Sequence, residues 1–420
     1  MLPCHGPVVA ARLCPLSEPR AVTVNFPLAA RPAGRGRHLQ LWGRLSPLWR
    51  LDWILLGAVV ALGSTGALLA WSATRYRQVA LGADPDLYLE RHLLNLALGL
   101  VLCAAVTAVD YRRSRGYAPV FYGAAVLFLA TVLTPLASTV NGAHSWIVLG
   151  AGFSLQPSEF VKPAVVVMLA ALLTEAREAR CGEVPRTRQV AASLALVAVP
   201  AAVIMASHEL GTSLVLVAIT VGLLYASGVP GRILGVLGAL AAAAATAVVT
   251  LHLLSAYQLN RFAAFADPNL DPSGVGYNTQ QARIAIGAGG LLGQGLFHGD
   301  QTTGGFVPEQ QTDFIFTVAG EELGFLGAGA VIALLGVVLW RALAIARRAE
   351  DMYATLLAVG IVCWLAFQSF ENIGMTLGIM PVAGIPLPLV SYGGSSMFAV
   401  CLAVGLLQSI QLVSTRPRSA

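Results

Sequence analysis

Glu159 and Lys162 are the ionisable residues whose setting in the sequence most directly suggests chemistry. They lie in LQPSEFVKP, residues 155–163, where Pro157 suits a first helical turn because its missing N–H would have no partner there. A spacing of three residues puts both side chains on one face of that helix. At membrane depth such charges indicate function, whereas at the interface they would form a neutral pair with Lys162 extending towards the headgroups. The sequence leaves both interpretations open.

A second set of charged residues lies in the long connection at 255–312, between two apolar segments. Its Asp267 and Asp271 each precede a proline in ADPNLDPSG, and the commonest role of Asp-Pro is to begin a turn. Loops of this length are usually functional or disordered, and the apolar residues kept in this one predict that it is ordered. Other charged residues accompany the two aspartates, namely Arg261, Arg283, Asp300 and Glu309. We expect membrane segments to hold this loop over a site.

Two stretches, one late in this connection and one directly after it, have simpler explanations. IGAGGLLGQG, residues 286–295, lacks both the GxGxxG spacing and the preceding strand of a phosphate-binding loop. Its glycines are interpreted as permitting tight turns or re-entry against the helices. Asp313, Glu321 and Glu322 put three carboxylates near the start of the next apolar segment, where a helix N-terminus favours negative charge. That explanation covers Asp313 better than the two glutamates.

The segment NIGMTLGIMPVAGIPLPLVSYGGSS, residues 372–396, is uncharged yet rich in Gly and Pro. It cannot form one regular helix. Non-helical backbone at membrane depth survives only where it is buried in protein or lines a cavity. We therefore interpret it as a groove wall, whose candidate residues are Pro386, Pro388, Ser391, Tyr392, Gly393 and Gly394.

Membrane-spanning helices are the elements that must position these residues. Of the 420 residues 56% are hydrophobic and 11% charged, against about 25% charged in soluble domains. A spanning helix needs about 20 predominantly apolar residues. Candidate segments lie near 53–73, 92–109, 117–135, 158–174, 190–207, 211–228, 233–254, 313–340, 352–370 and 396–413. The sequence predicts an all-α membrane protein of about ten transmembrane helices, with a long, partly re-entrant extracytoplasmic loop before helix 8.

Charge asymmetry predicts the orientation of this chain. Residues 1–50 are expected to be a largely disordered cytoplasmic tail, residues 51–414 the transmembrane domain, and residues 415–420 a cytoplasmic C-terminal tail. Lys162 is the only lysine among 26 basic residues. Most arginines fall in the tails and loops of one face, which follows the positive-inside rule. Both termini are therefore predicted to be cytoplasmic, and the basic excess gives no reason to expect a nucleic-acid partner.

Several other kinds of site are excluded by residue spacing. The six cysteines show no paired spacing and the seven histidines form no HExxH motif, so neither a disulfide framework nor a zinc site is indicated. The single lysine follows Val161 rather than the glycine of a Walker motif, which excludes a P-loop ATPase.

Five motifs together resemble one family, SEDS (shape, elongation, division and sporulation). They are QPSEFVK, DPSGVGY, QARIAIGAGGLLGQGL, VPEQQTDFIF with EELG, and the segment at 372–396. They occur in the family's order over about residues 50–414. The FHGDQT and FVPEQQTDFIF stretches are more similar to the elongation branch, RodA, than to the division branch, FtsW.

The resemblance implies a peptidoglycan glycosyltransferase of the bacterial plasma membrane. Such an enzyme polymerises lipid II into glycan strands with release of polyprenyl diphosphate, for cell-wall elongation and cell shape. Its implied partners are a class B penicillin-binding protein, which supplies transpeptidation, and the substrates lipid II and the nascent glycan strand.

The resemblance also assigns site residues. The essential loop aspartate corresponds to Asp271, directly before Pro-x-Gly-x-Gly-Tyr, rather than to Asp267, and we expect it to be the catalytic base. A divalent cation, Mg or Mn, is a further candidate at the diphosphate. The family's paired Glu and Lys correspond to Glu159 and Lys162, which are expected to bind substrate or its diphosphate. From their charge or polarity in this chain, we expect the same of Arg261, Gln281, Arg283, Glu309 and Asp313.

Three positions depart from the family pattern. Gln311 stands where histidine is common, Glu209 in HELGT where aspartate is usual, and Ser145 where a basic residue frequently precedes Trp-Ile. The departures weaken any role proposed for these positions and leave the loop aspartate untouched.

Two other functions remain open at this stage. A lipid II flippase should place basic residues along a central path that both faces can reach. A non-catalytic scaffold of the elongation or division machinery would not need the loop aspartate. Outside the loops, only Glu159, Lys162 and Glu209 are predicted to approach membrane depth, and this distribution favours the enzyme.

Overall fold

The computed structural model describes residues 47–135, 137–140, 143–150, 153–179, 184–207, 209–250, 265 and 274–415. These residues form thirteen α-helices and three short strands. The first seven helices are α1 (Trp53–Ala80), α2 (Leu87–Ala108), α3 (Tyr111–Ala130), α4 (Pro157–Glu178), α5 (Thr187–Ala206), α6 (Leu210–Ala226) and α7 (Gly231–Thr250). The others are α8 (Val275–Ala288), α9 (Asp300–Gly304), α10 (Ile315–Glu322), α11 (Gly324–Arg348), α12 (Met352–Leu377) and α13 (Gly394–Ser414).

The predicted all-helical membrane architecture is confirmed, whereas the count of about ten membrane-spanning helices stays a prediction. Seven helices in the described part of the chain are long and apolar enough to cross a membrane, namely α1, α2, α3 with the turn that follows it, α5, α11, α12 and α13. Two shorter apolar helices are α6 and the first part of α7. Helix α4 is long but contains Glu159 and Lys162, which lower its apolar content.

Two features differ from the sequence expectation. The span predicted at 313–340 is divided, because α10 ends at Glu322 and α11 begins at Gly324, whose φ of 67° interrupts the helix. The connection between α3 and α4 forms an antiparallel sheet of β1 (Ala137–Val140), β2 (Ala143–Gly150) and β3 (Phe153–Leu155). Its Thr, Val, Trp and Ile residues are typical of strands, a local signal that the length of apolar segments does not capture.

Helix α4 lies at the centre of the bundle, in contact with α3, α5, α6, α12 and α13. Its buried positions occur around the whole helix, which is the pattern of a helix enclosed by other helices. The central position explains how this helix can bring Glu159 and Lys162 into the protein interior.

Hydrogen bonds at the start of α1 tie together helices that are distant in sequence. The Asp52 carboxylate caps α1 at the N–H of Leu55 and pairs with Arg341 of α11, Oδ2 to Nη2, at 2.6 Å. The amide of Gln408 in α13 accepts from the Asp52 N–H and donates to its carbonyl, both at 2.9 Å. These bonds fix one end of the bundle, opposite the end where α4 begins.

Candidate active site

The Glu159–Lys162 pair lies in the bundle interior. The Lys162 Nζ is 2.6 Å from Glu159 Oε1, and the two side chains are 0% and 1% exposed. An interfacial pair with Lys162 extending to the headgroups would show substantial exposure, so that interpretation is wrong. Removing one member of such a buried pair leaves an uncompensated charge.

Helix α12 encloses the ammonium from the other side. Lys162 Nζ donates to Gln368 Oε1 at 2.9 Å and lies 5.4 Å from the centre of the Trp364 ring. The Trp364 indole donates to the same amide oxygen at 2.7 Å, and the Gln368 amide nitrogen donates to the carbonyl of Pro386 at 2.8 Å. The buried charge is therefore connected by hydrogen bonds to the predicted groove wall.

The groove wall is non-helical between α12 and α13, as its Gly and Pro content predicts. Asn372 Nδ2 donates to the carbonyls of Ile385, at 2.7 Å, and Asp313, at 2.8 Å. The Ser391 hydroxyl donates to the carbonyl of Thr312 at 2.5 Å. Side chains thus replace the helical hydrogen bonds and join the wall to the residues that precede α10.

The other predicted wall residues are buried or partly buried. Pro388 is buried, whereas Pro386, Gly393 and Gly394 are partly buried. The Tyr392 ring packs against Tyr88 with centroids 4.9 Å apart. This contact joins the end of the wall to the start of α2.

Helix α1 approaches the wall through Gly66. A Cβ at Gly66 would lie 2.2 Å from the Val390 carbonyl oxygen, a backbone atom that cannot turn aside, whereas at Gly57 nothing lies within 4 Å. We expect Gly66→Ala to destabilise the protein by about 1–3 kcal/mol through overpacking. The matched Gly57→Ala should be neutral or stabilise by up to about 1 kcal/mol. Thermal unfolding of the two purified variants measures the difference, and equal melting temperatures would contradict the close approach.

Glu371 is a buried acid that the sequence analysis missed. It is 1% exposed, and neither carboxylate oxygen has a hydrogen-bond partner among the described residues. It follows Gln368 by three residues on the same face of α12, one turn further towards the loop. Glu371 directly precedes the uncharged segment that begins at Asn372. A single acid at the end of an otherwise apolar span was the signal that could have revealed it.

Helix α8 holds two of the predicted loop residues. Ala282 and Ala285 bury one of its faces in a cluster with Met375 of α12. Gln281 is partly buried and Arg283 is exposed, the latter with its Cδ against Gly378 at the end of α12. The arginine therefore lies where the loop meets the groove wall.

Glu309 and Asp313 lie in the turn before α10. Glu309 has a left-handed backbone, with φ of 52°, and its carboxylate accepts from Gln311 at 3.2 Å and from Thr312 at 3.3 Å. Strained non-glycine backbone of this kind is enriched at functional sites. The Asp313 carbonyl, as described above, is fastened to α12. The structure brings these two residues to the groove wall.

Glu321 and Glu322 end α10 rather than beginning a helix, so the expectation based on helix N-termini was wrong for both. Glu321 accepts from the N–H groups of Gln301 and Thr302 at 2.6 and 3.0 Å, and from the Thr302 hydroxyl at 2.7 Å. Glu322 accepts from the Ser72 hydroxyl at 2.6 Å. The two carboxylates anchor the last part of the loop to α10 and α1.

We expect Glu321→Ala to loosen residues 299–304 without unfolding the bundle. It leaves three donors unpaired, and a buried unpaired group costs about 1–3 kcal/mol. Amide hydrogen exchange of 299–304 should accelerate strongly, while α12 keeps its protection. Thr302→Val removes only one donor and serves as the matched control, with a smaller acceleration. Unchanged exchange in Glu321→Ala would show that the carboxylate does not hold the segment.

The three departures from the family pattern occupy two places. Gln311 lies beside the groove wall, where its carbonyl accepts from the Tyr392 N–H at 2.8 Å. Ser145 and Glu209 line one small pocket together with Ser158, Ser207 and apolar residues. The Glu209 carboxylate accepts there from neutral donors, among them the Gln156 amide at 2.7 Å.

The candidate site is therefore assembled in part. Glu159, Lys162 and the groove wall are brought together, with Glu309, Asp313 and Arg283 beside them. Arg261, Asp267 and Asp271 lie outside the described residues. Among the residues that the structure describes, no group of three or more His, Cys, Asp or Glu side chains is arranged to hold a metal ion. A divalent cation at the diphosphate stays a prediction.

Comparison with known proteins identifies what this chain is similar to. The family model FTSW_RODA_SPOVE, described as "Cell cycle protein", matches residues 52–416. The chain is 36% identical over 360 residues to the peptidoglycan glycosyltransferase MrdB of Escherichia coli, covering 86% of the chain and 93% of the relative. It is 35% identical over 373 residues to the stage V sporulation protein E of Bacillus subtilis, covering 86% and 97%.

Solved structures agree with these sequence relatives. A chain of a complex described as "Structural coordination of polymerization and crosslinking by a peptidoglycan synthase complex" matches with a TM-score of 0.71 and 31% identity. That match covers 87% of this chain and 99% of the other. The rod shape determining protein RodA of Thermus thermophilus matches with a TM-score of 0.63 and 28% identity, covering 87% and 98%.

Proposed function

This chain belongs to the FtsW, RodA and SpoVE family of cell cycle proteins, and we propose that it is a peptidoglycan glycosyltransferase that polymerises lipid II. The observation that supports this most strongly is the groove wall, fastened by side chains to a buried Glu159–Lys162 pair and to the end of the loop. The relatives named peptidoglycan glycosyltransferases extend over 86% of the chain. Similarity to MrdB and to RodA favours a role in elongation and cell shape.

The reaction joins a sugar 4-hydroxyl to an anomeric carbon that bears a polyprenyl diphosphate. The new glycosidic bond forms as the carbon–diphosphate bond breaks, the electron pair leaves with the diphosphate, and the hydroxyl proton passes to a base. We assign the base to Asp271, because a carboxylate within hydrogen-bond reach of the hydroxyl contributes typically about 10²–10⁴-fold. Asp271 precedes α8 by four residues, and α8 packs on α10 and α12.

The charge that develops on the leaving diphosphate needs a cation. Arg283 is exposed on α8 beside the end of the groove wall. This position makes it the first candidate, among the described residues, for the cation that stabilises the leaving diphosphate. Arg261, Gln281 and a Mg or Mn ion are proposed to assist. Lys162 is paired with Glu159, so its proposed contribution is to hold Gln368 and the wall in place rather than to bind diphosphate as a free cation.

The flippase alternative gains no support from the distribution of buried charge. Among the described residues, Lys162 is the only lysine or arginine that is fully buried. Its charge is neutralised by Glu159. The prediction that only Glu159, Lys162 and Glu209 approach membrane depth was incomplete, since Glu371 is also buried in α12. The omitted residue is acidic and adds nothing to a path for an anionic lipid.

The proposed setting is the bacterial plasma membrane, with both termini in the cytoplasm and a class B penicillin-binding protein as partner. The orientation rests on the distribution of arginine. The proposal of this partner rests on the structural neighbour, which belongs to a complex that coordinates polymerisation and crosslinking. We propose that the transpeptidase crosslinks the strand that this chain extends.

The decisive experiment is to incubate the purified protein, together with its partner transpeptidase, with a labelled lipid-linked disaccharide. Glycan polymer is expected from the two proteins and none from the partner alone. Movement of the labelled lipid across vesicles without polymer would favour the flippase. Absence of both activities would favour the scaffold.

A further inference from the structure

Four large apolar side chains form an exposed cluster where the end of the loop crosses the break between α10 and α11. Leu291, Leu292, Phe325 and Leu326 are 71%, 78%, 71% and 61% exposed. We call these four residues the apolar wedge. Two of them belong to a loop segment, so their exposure is not a consequence of lying on a membrane-spanning helix.

Close contact between two backbones directs these side chains outward. The N–H groups of Phe325 and Leu326 donate to the carbonyls of Gly290 and Leu291 at 2.9 and 3.2 Å. A Cβ at Gly293 would lie 2.1 Å from the Glu322 carbonyl oxygen, and one at Gly289 would lie 1.9 Å from that of Gly320. Because no side chain fits between the two backbones, the leucines and the phenylalanine can only face away from them.

Backbone groups next to the wedge on the loop side are also hydrogen-bonded, to the end of α10. Besides the two bonds above, the N–H groups of Gln294 and Gly295 donate to the carbonyls of Glu321 and Glu322, each at 3.0 Å. Irregular backbone is tolerated at membrane depth only when protein satisfies it. The hydrogen bonds between residues 290–295 and 321–326 therefore satisfy part of this backbone, as entry into a bilayer requires.

The position of the wedge along α11 sets its depth. Phe325 and Leu326 are the second and third residues of α11, which is one of the helices apolar enough to cross a membrane. Leu291 is hydrogen-bonded to Leu326, and thus lies at the same height. We propose that the apolar wedge inserts into the acyl region of the leaflet on the loop side, so that the loop is fastened to the membrane as well as to the helices.

This inference concerns a lipid surface and does not rest on the proposed function. If both hold, the wedge fixes the height of α8, which ends at Ala288, three residues before Leu291. Arg283 would then be kept near the level at which a lipid-linked diphosphate leaves the bilayer. Failure of polymerisation and failure of insertion remain separate outcomes, because the test below measures lipid contact without substrate.

The test places a photo-crosslinking benzophenone amino acid at Leu291 or Leu292 of the full chain, in vesicles of phosphatidylethanolamine and phosphatidylglycerol. The exposed His298 and Asp300, on the same segment, are the matched control positions. After irradiation, mass spectrometry is expected to find acyl-chain adducts at least about tenfold more abundant at Leu291 and Leu292 than at the controls. All four positions are exposed, so the substitutions leave the core intact.

Two results would overturn the proposal. Equal lipid adducts at wedge and control positions would show that the wedge faces water. Crosslinks from Leu291 and Leu292 to a second copy of the chain, in place of lipid, would show that protein covers the cluster. Preservation of the elution profile of the unsubstituted protein confirms that each labelled chain is folded.

Discussion

The Asp271→Ala variant is expected to lose glycan polymerisation by a factor of about 10²–10⁴ while remaining folded and inserted in the membrane. The reason is chemical, because a sugar hydroxyl is a weak nucleophile until a base accepts its proton, and general-base catalysis contributes about this factor. The measurement is the rate of polymer formation from a labelled lipid-linked disaccharide, with the purified variant and its partner.

Asp267→Ala is the matched control, since it removes the other Asp-Pro step of the same loop. It is expected to keep most of the activity, because its most common role is to begin a turn. Asp271→Asn should be as inactive as Asp271→Ala, since an amide keeps the shape of the side chain but cannot accept the proton. Wild-type polymerisation by either Asp271 variant would remove this residue from the mechanism.

Local pattern was sufficient to predict most of the helices. Long apolar runs predicted the bundle, and the Gly and Pro content of residues 372–396 predicted a non-helical wall, which occupies 378–393. The division of the span at 313–340 was not predictable in this way. It depends on Gly324 meeting Gly293, a contact between residues that are distant in sequence.

The surroundings of each charged residue could not be predicted from the sequence either. The three-residue spacing showed that Glu159 and Lys162 share a helix face, but their burial depends on α12 covering them with Trp364 and Gln368. Spacing along one helix carries no information about which other helix covers it. Likewise, the hydrogen-bond donors to the Glu321 carboxylate lie about 20 residues away along the chain.

Lys162→Met is expected to destabilise the protein by about 3–5 kcal/mol, the cost of leaving one charge of a buried pair uncompensated. The variant leaves Glu159 with a charge at 1% exposure. It also removes the donor that Gln368 accepts from at 2.9 Å. A fall in the melting temperature of the purified protein measures the effect.

The double variant Glu159→Gln with Lys162→Met separates stability from function. It removes both charges, and buried ion pairs can often be replaced by neutral groups at little cost. We therefore expect most of the lost stability to return, whereas polymerisation does not, because Gln368 no longer has the ammonium that helps hold it against the Pro386 carbonyl. If the double variant polymerises at the wild-type rate, the pair serves folding alone. If it is no more stable than Lys162→Met, the uncompensated charge of Glu159 is not the source of the loss.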